Sequence, residues 1–421
     1  MTDTMPVFGT DRRVLVLAFA RMADALGNSF LIVVLPLYIA SGQVEIEALL
    51  GTQVPFLSIT ITESLLIGLA LSLFGFLNSL NQPLTGRLSD RAGKRKLFIL
   101  IGLAVLGVGS GGYVFVSEYR WVLFFRILQG IGAALTIPAT VALVNELSAG
   151  DRTRGGNFGV FNTFRLLGFG FGPLVAGVVV EIWGFDAAFG VAVAGAFVSF
   201  TLVYGLVSDP KETQASAGED LSIAIRGPPG KLLDPVFTLG LGTVAMGIAI
   251  ALFAALEPQI NARLDQSTVL FGIQFGAVTL ANVAFQIPVG RASDGYGRRP
   301  FLILGFIVLA PATFVQGYVG TPALMILARF AQGIAVAMVF APSLALAGDL
   351  AREGTSGTTL SVLTMAFGLG VAIGPLSAGF LERFGFQVPF VVGTALSVLA
   401  LILVYTQVEE TLSETESLLG F

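Results

Sequence analysis

The sequence predicts an all-α membrane protein in which twelve transmembrane helices form two pseudo-symmetric six-helix bundles. Three observations carry this. Of 421 residues, 55% are hydrophobic and 12% charged, whereas water-soluble chains carry about 25% charged residues. Apolar runs long enough to cross a bilayer follow one another along the whole chain, and the second half repeats the motifs of the first in the same order.

A helix needs about 20 apolar residues to cross the hydrocarbon core. Runs of that kind lie near 14–41, 64–85, 97–117, 121–146, 157–182, 186–207, 235–261, 267–289, 300–319, 322–349, 357–382 and 386–407, separated by polar or Gly- and Pro-marked breaks. The first follows Arg12 and Arg13, lacks a small-residue cleavage site and continues into Pro36 and Tyr38. It reads as a retained span, not a signal peptide. The polar stretch 208–231 joins the halves, giving an N-terminal bundle at 1–207, a cytoplasmic linker at 208–234 and a C-terminal bundle with a short acidic tail at 235–421.

With twelve spans and an internal N-terminus, sixteen basic residues fall on the inner side, among them Arg87, Arg91, Lys94, Arg95, Lys96, Arg291, Arg298 and Arg299. Only Arg120, Arg263 and Arg383 fall outside. This asymmetry predicts a multi-pass cell-membrane protein with both termini cytoplasmic. The absence of His and Cys rules out a zinc site of the usual ligands, a disulfide, a thiol nucleophile and a Ser-His-Asp triad. A formal net charge of −4 argues against nucleic-acid binding. No cofactor or metal is expected, the lipid bilayer is the solvent, and the chain is expected to be a monomer.

The repeat is explicit. GRLSDRAGKR at 86–95 returns as GRASDGYGRR at 290–299, RILQG at 126–130 as RFAQG at 329–333, and Gly172, Pro173 and Gly177 as Gly374, Pro375 and Gly379. The offset falls smoothly from 204 through 203 to 202, and six spans per copy make the repeats parallel. In the first motif, Gly86 and Gly93 are expected to turn the chain tightly between two spans. Asp90 and Asp294 are expected to bond a helix N-terminus or pair with Arg91, Arg95, Arg154 or Arg298.

On these residues the chain resembles the major facilitator superfamily over nearly its whole length. The 86–95 segment resembles that superfamily's best-known loop motif, and Arg126 to Gly130 another. The run 168–177, with Gly168, Gly172, Pro173 and Gly177, resembles the Gly-Pro motif of the antiporter branches. Asp24 to Gly27, followed by Leu35 and Pro36, resembles the first span of the tetracycline/proton and related drug/proton antiporters. The resemblance implies a conformational latch formed by Gly86, Asp90, Arg91, Gly93, Arg95, Glu146, Arg154, Gly290, Asp294, Gly297 and Arg298. Gly168, Gly172 and Gly177 would let another helix pack closely.

Ionisable residues inside spans are functional candidates because each costs at least ~2.5–3.5 kcal/mol to insert. Here they are Arg21, Asp24, Arg126, Arg165, Glu257 and Arg329. At ~1.5 Å per residue, Asp24 lies about 15 Å into the first span and Arg165 about 12 Å into the fifth. Asp24 is the expected proton carrier. Depth favours Arg165 as its partner and family resemblance favours Arg126; both stay open. Arg21, nearer the inner end, is expected to snorkel to the surface. Aligning the two Leu/Glu-Pro pairs sets Met246 opposite Asp24, which leaves the second half without a midplane acid. Glu257 is expected to bind substrate or pair with Arg329, or else to be solvated at the interface.

Asn78 and Gln82 recur as Asn282 and Gln286, each pair on one helix face. With Asn28, Glu257 and Arg329 they form the expected substrate cavity, walled by Phe30, Phe74, Phe161, Phe253 and Phe275. The combined reading is a secondary transporter, not an enzyme, that exports lipophilic or amphipathic small molecules against protons by alternating access, with sodium as the alternative ion. The competing readings are a sugar, amino-acid or other metabolite transporter and a non-transporting membrane sensor.

Overall fold

The computed structural model describes residues 12–54, 59–147, 154–209, 224–350 and 356–411. Among them the chain is helical: α1 (Arg12–Ala40), α2 (Glu63–Ala92), α3 (Arg95–Gly112), α4 (Tyr119–Leu147), α5 (Arg154–Leu206), α6 (Pro235–Ala251), α7 (Glu257–Leu264), α8 (Thr268–Tyr296), α9 (Arg298–Gln316), α10 (Pro322–Leu350), α11 (Ser356–Leu381) and α12 (Val388–Gln407). Eleven helical segments are long and apolar enough to cross a membrane. One of them, Gly159–Leu206, has 48 residues, about twice what a span needs. Its helix breaks at Gly184, whose φ of 79° only glycine adopts readily. Its two limbs are the fifth and sixth expected spans. The seventh is composite: α6, a 3₁₀ turn at Leu252–Leu256, then α7.

Two details depart from expectation. A two-stranded hairpin, β1 (Gln53–Val54) with β2 (Ile59–Thr60), lies between α1 and α2. The 86–92 and 290–296 segments are not loops but the last turns of α2 and α8. Side chains that face water no longer need a break in the helix, so the turn is confined to Gly93 (φ 60°) and Gly297 (φ 100°). Gly86 stays helical, and a methyl added there would be in ordinary contact with Pro138 at 3.6 Å. Arg152, Lys211, Arg352, the Arg154 side chain and most of the acidic tail lie outside the described residues.

The chain divides into two compact units. One comprises Met1–Leu49, Leu73–Gly218 and Ser267–Gly272; the other comprises Leu50–Ser72, Glu219–Gln266 and Ile273–Phe421. The first ten residues of α2 therefore belong with the second unit, and the start of α8 with the first.

The first unit is built on α1. Its core includes Leu17, Leu103, Leu106, Val144, Phe161 and Val203. The first limb of α5 touches α1 backbone to backbone: a methyl at Gly168 would collide with the Met22 carbonyl, and one at Gly172 would lie 2.6 Å from the Leu26 carbonyl oxygen. The second limb does the same on another side, with Gly195 facing the Ala23 carbonyl at 2.7 Å. Gly177 meets the backbone of Thr268 and Val269. In the second unit the repeat reproduces the arrangement: Gly374 approaches Ala251 and the Ile248 carbonyl, around a core of Met246, Leu302, Phe306, Val336, Leu363 and Val404.

Gly168→Ala is expected to lower stability by about 1–3 kcal/mol through overpacking. Gly190→Ala, where an added methyl meets nothing within 4 Å, is expected to stay near the parent. Melting of the detergent-solubilised proteins checks the contrast.

Candidate functional site

Asp24 is 5% exposed and lies almost midway along α1. Its ion pair is with Arg21, three residues earlier on the same helix, not with Arg126 or Arg165. Residues three apart share a helix face, so the pair forms without help from another element. Arg21 accordingly does not snorkel: its side chain is 10% exposed. Arg165, from the first limb of α5, interacts electrostatically with Arg21, and its guanidinium donates to Asn162 Oδ1 at 2.9 and 3.1 Å. One carboxylate thus serves a neighbourhood holding two guanidiniums.

Asp24 also lines two internal cavities, each with room for about one water molecule. Toward the N-terminal end of α1, the first is bounded by Arg21, Thr136, Thr140 and Ser199. Toward the other end, the second is bounded by Asn28, Ser110, Ala192 and Ala196.

Arg126, 2% exposed, is held by a separate network. Its Nη1 donates to Gln129 Oε1 at 3.0 Å, and the Tyr113 hydroxyl donates to the same oxygen at 3.1 Å. Gln129 Nε2 donates to Ser110 Oγ at 3.0 Å. Phe74 lies beneath the guanidinium, 5.1 Å from its ring centroid. Gly130 lets α2 and α4 meet here, since a methyl would fall 2.7 Å from Leu77 Cβ.

The second unit repeats the network with changes. Arg329 Nη1 donates to Gln332 Oε1 at 2.6 Å and to the Ile250 carbonyl at 3.2 Å. Gln332 Nε2 donates to Thr313 Oγ1 and to the Ala249 carbonyl. Phe253 and Phe275 lie 4.2 and 5.6 Å from the Arg329 guanidinium carbon. Glu257 opens α7 and is fully buried, so it is not a solvated interface residue. Among the described residues it makes no ion pair with Arg329. Both its carboxylate oxygens lack a hydrogen-bond partner of normal geometry, with Asn261, one turn on, engaging it only loosely. Phe30 and Phe161 are buried, and Phe161 belongs to the core.

Of the polar cavity candidates, Gln82 donates to Asn78 Oδ1 at 3.0 Å, so this pair is partly self-satisfied. Asn282 and Gln286 are half-buried on α8.

The charged ends of α2 and α8 are ion-paired within their own units. Arg95 donates to Glu146 Oε1 at 2.9 and 3.1 Å, to Ser89 Oγ at 2.7 Å and to Asp90. Arg298 pairs with Asp294 and Asp349 and donates to the Ala345 carbonyl at 3.1 Å. Asp349, overlooked in the sequence, stands where the repeat places Glu146. Arg91 is exposed, and a methyl at Gly290 would meet nothing within 4 Å. Two further carboxylates act beyond the last helix of each repeat: Asp209 accepts from the Lys96 backbone N–H, and Glu410 from that of Arg299, both at 2.8 Å. Neither Lys94 nor Gly297 caps its helix with a side chain, so these distant acids satisfy the exposed N–H groups instead. Lys96 and Arg299 then donate to the carbonyls of Tyr204 and Tyr405 at 2.7 Å.

A family model for the Major Facilitator Superfamily matches residues 17–253 and again 237–419. The chain belongs to the Major Facilitator Superfamily. This is a family of transporters, not enzymes. Within it, the chain is 27% identical over 80% of its length to the multi-drug resistance efflux pump PmrA homolog of Lactococcus lactis subsp. lactis, covering 83% of that protein. It is 24% identical over 77% of its length to the human synaptic vesicular amine transporter, of which it spans 62%. Among solved superfamily structures, a bacterial homologue of the human lysosomal transporter Spinster superposes with a TM-score of 0.74 at 14% identity, covering 93% of this chain and 95% of that one.

Arg95→Ala and Glu146→Ala are expected to couple by about 1–3 kcal/mol in a double-mutant cycle, because removing Arg95 leaves the Glu146 carboxylate poorly partnered in a confined site. Thermal melts of the four proteins measure it.

Proposed function

We propose that this superfamily member is a secondary active transporter that exports lipophilic or amphipathic small molecules in exchange for protons, alternating access between the two sides of a cell membrane with both termini in the cytoplasm. The observation that carries the reading is Asp24, a buried carboxylate in a membrane span whose ion-pair partner among the described residues lies on its own helix. Taking up a proton removes that charge. Arg21 then faces Arg165 without the carboxylate between their interactions, and like charges in a poorly screened interior favour a rearrangement that separates them. This links protonation to movement of α1 against α5. The tight glycine contacts between those helices support the link, since such contacts hold one of two discrete packings better than a continuum.

Glu257 supplies the counter-charge for the substrate in this reading. A buried carboxylate whose oxygens lack a hydrogen-bond partner of normal geometry lies four residues along the chain from Phe253, whose ring packs on Arg329, chemistry suited to an amine or other organic cation with an apolar body. The names of the similar proteins, a multi-drug efflux pump and an amine transporter, point the same way. The ion-paired ends of α2 and α8, centred on Arg95 and Arg298, act as the latches that hold each unit rigid during the exchange.

Ethidium serves as a probe substrate in proteoliposomes. An outwardly acting wild-type protein is expected to move it in response to an imposed pH gradient, and Asp24→Asn is expected to lose that response while retaining gradient-independent exchange. Full pH-driven transport by Asp24→Asn removes Asp24 from the mechanism. Glu257→Gln is expected to weaken ethidium affinity by about tenfold, equivalent to ~1.4 kcal/mol, and a titration of transport rate against ethidium measures it.

A further inference from the structure

We propose that Arg21 and Arg165 form a binding site for a monovalent anion, a chloride free in solution or the carboxylate of a substrate, which completes the charge balance that Asp24 alone leaves short. The site rests on where the charges lie and not on the proton-coupled reading above.

Arg21, Arg126 and Arg165 stand inside spans of the first unit, and they are not provided for equally. Arg21 has the Asp24 carboxylate. Arg126 has an aromatic face and the Gln129 amide that Tyr113 also engages. Arg165 has Asn162 Oδ1, a neutral oxygen that its Nε and Nη2 share. Among the described residues no carboxylate pairs with Arg165 and no ring lies under it, and the charge it does meet, Arg21, has its own sign. Its Nη1 takes part in neither bond to Asn162, and the side chain is half-buried, so an ion can reach it.

One carboxylate between two guanidiniums leaves one unit of positive charge. Such a charge inside a span is costly unless it finds a partner, and the planar N–H edge of a guanidinium suits a small anion or a carboxylate. At ~1.5 Å per residue Arg165 lies deeper than lipid headgroups reach, so the partner comes from water or from a substrate. The deficit is one charge, which a monovalent anion meets.

The repeat acts as an internal control. A methyl at Gly168 would collide with the Met22 carbonyl, and one at Gly370 would lie 2.4 Å from the Val244 carbonyl oxygen. That shared contact aligns the two helix pairs, and in the alignment Arg21, Asp24 and Arg165 correspond to Thr243, Met246 and Phe367. Thr243 donates to the Leu239 carbonyl at 2.7 Å, Met246 is in the core, and Phe367 packs against that core with its ring 5.2 Å from Phe340. The helix packing therefore stands without any of the three charges. In the first unit they are an addition to a scaffold that does not need them.

The charged groups facing the site are Arg21 and Asp24 on α1 and Arg165 on the first limb of α5. Thr136 and Thr140 on α4 and Ser199 on the second limb, which border the cavity beside Asp24, carry no charge. Neutralising Asp24 raises the deficit from one charge to two, so the anion is then held more tightly. One bound anion still leaves one positive charge, and the repulsion between Arg21 and Arg165 is weakened without being abolished.

The test uses the full-length protein in detergent at one fixed pH, with chloride exchanged for gluconate at constant ionic strength. Melting temperature and bound radioactive chloride are the readouts. Wild type is expected to show saturable chloride binding and stabilisation. Arg165→Gln, which keeps an amide to meet Asn162, is expected to lose chloride affinity by about tenfold, and Arg165→Lys to recover most of it. Asp24→Asn is expected to gain affinity by about fivefold. Sodium benzoate separates the two sources: benzoate that displaces chloride supports a site for a substrate carboxylate, and chloride held against benzoate supports a site for the free ion. A wild type that does not distinguish chloride from gluconate overturns the site, as does equal chloride binding by wild type and Arg165→Gln. Should Arg165→Gln fail to fold, Asp24→Asn decides, and chloride binding that is unchanged or weaker in that variant overturns the proposal. No gradient is applied, so a failure here leaves proton coupling standing, and a failure of the ethidium assay leaves the anion site standing.

Discussion

Backbone contact between α1 and α5 is the constraint on which the first unit depends. Helices that touch through Gly168, Gly172 and Gly195 have no side-chain layer between them, so their relative register is set by carbonyls and Cα atoms. Inside a bilayer, close packing of this kind substitutes for the hydrophobic drive that holds helices together in water. It also fixes the direction in which α1 presents Asp24. With α5 pressed on two sides, the acid is turned toward α3, α4 and the second limb, among threonine and serine hydroxyls. The electrostatics of the site are therefore a consequence of where glycine permits contact.

The buried arginines show the second constraint, that a charge in a membrane protein must be satisfied from within. Arg126 and Arg329 reach the same solution in separate units: a glutamine three residues on, an aromatic face beneath, and a hydroxyl beyond. Arg329 adds a backbone carbonyl and two rings at closer range. Glu257 has no comparable arrangement, and this contrast gives its carboxylate functional weight. Even so the provision is incomplete, since Arg329 Nη2 is buried without a hydrogen-bond partner, as both Glu257 oxygens are.

Much of the fold was legible because apolar length and positive charge act independently of packing: twelve spans, the break at 184 and the two repeats follow from residue counts. Asp24, Arg126 and Arg329 stood out because charge in a span is rare. The partner of Asp24 was missed because depth along a helix says nothing of azimuth. Arg21 and Asp24 share a face at a spacing of three, and that signal was present. Asp349 could have been found by carrying Glu146 across the repeat. Ser110 could not, since one serine among many small residues carries no mark until α3 and α4 are brought together. The helical ends of α2 and α8 were read as loops because polar composition was taken for irregular backbone, yet a helix leaving the membrane keeps its own hydrogen bonds.

Asp209 and Glu410 stand past the last membrane-spanning helix of each repeat, and each caps a helix more than a hundred positions earlier. Each repeat is thereby closed into a ring, its end fastened to its third helix by a single carboxylate. The folded boundary of each half thus extends beyond its membrane boundary. A piece of this chain cut where hydropathy ends would retain every span and still lose the carboxylate that caps the third helix of its repeat.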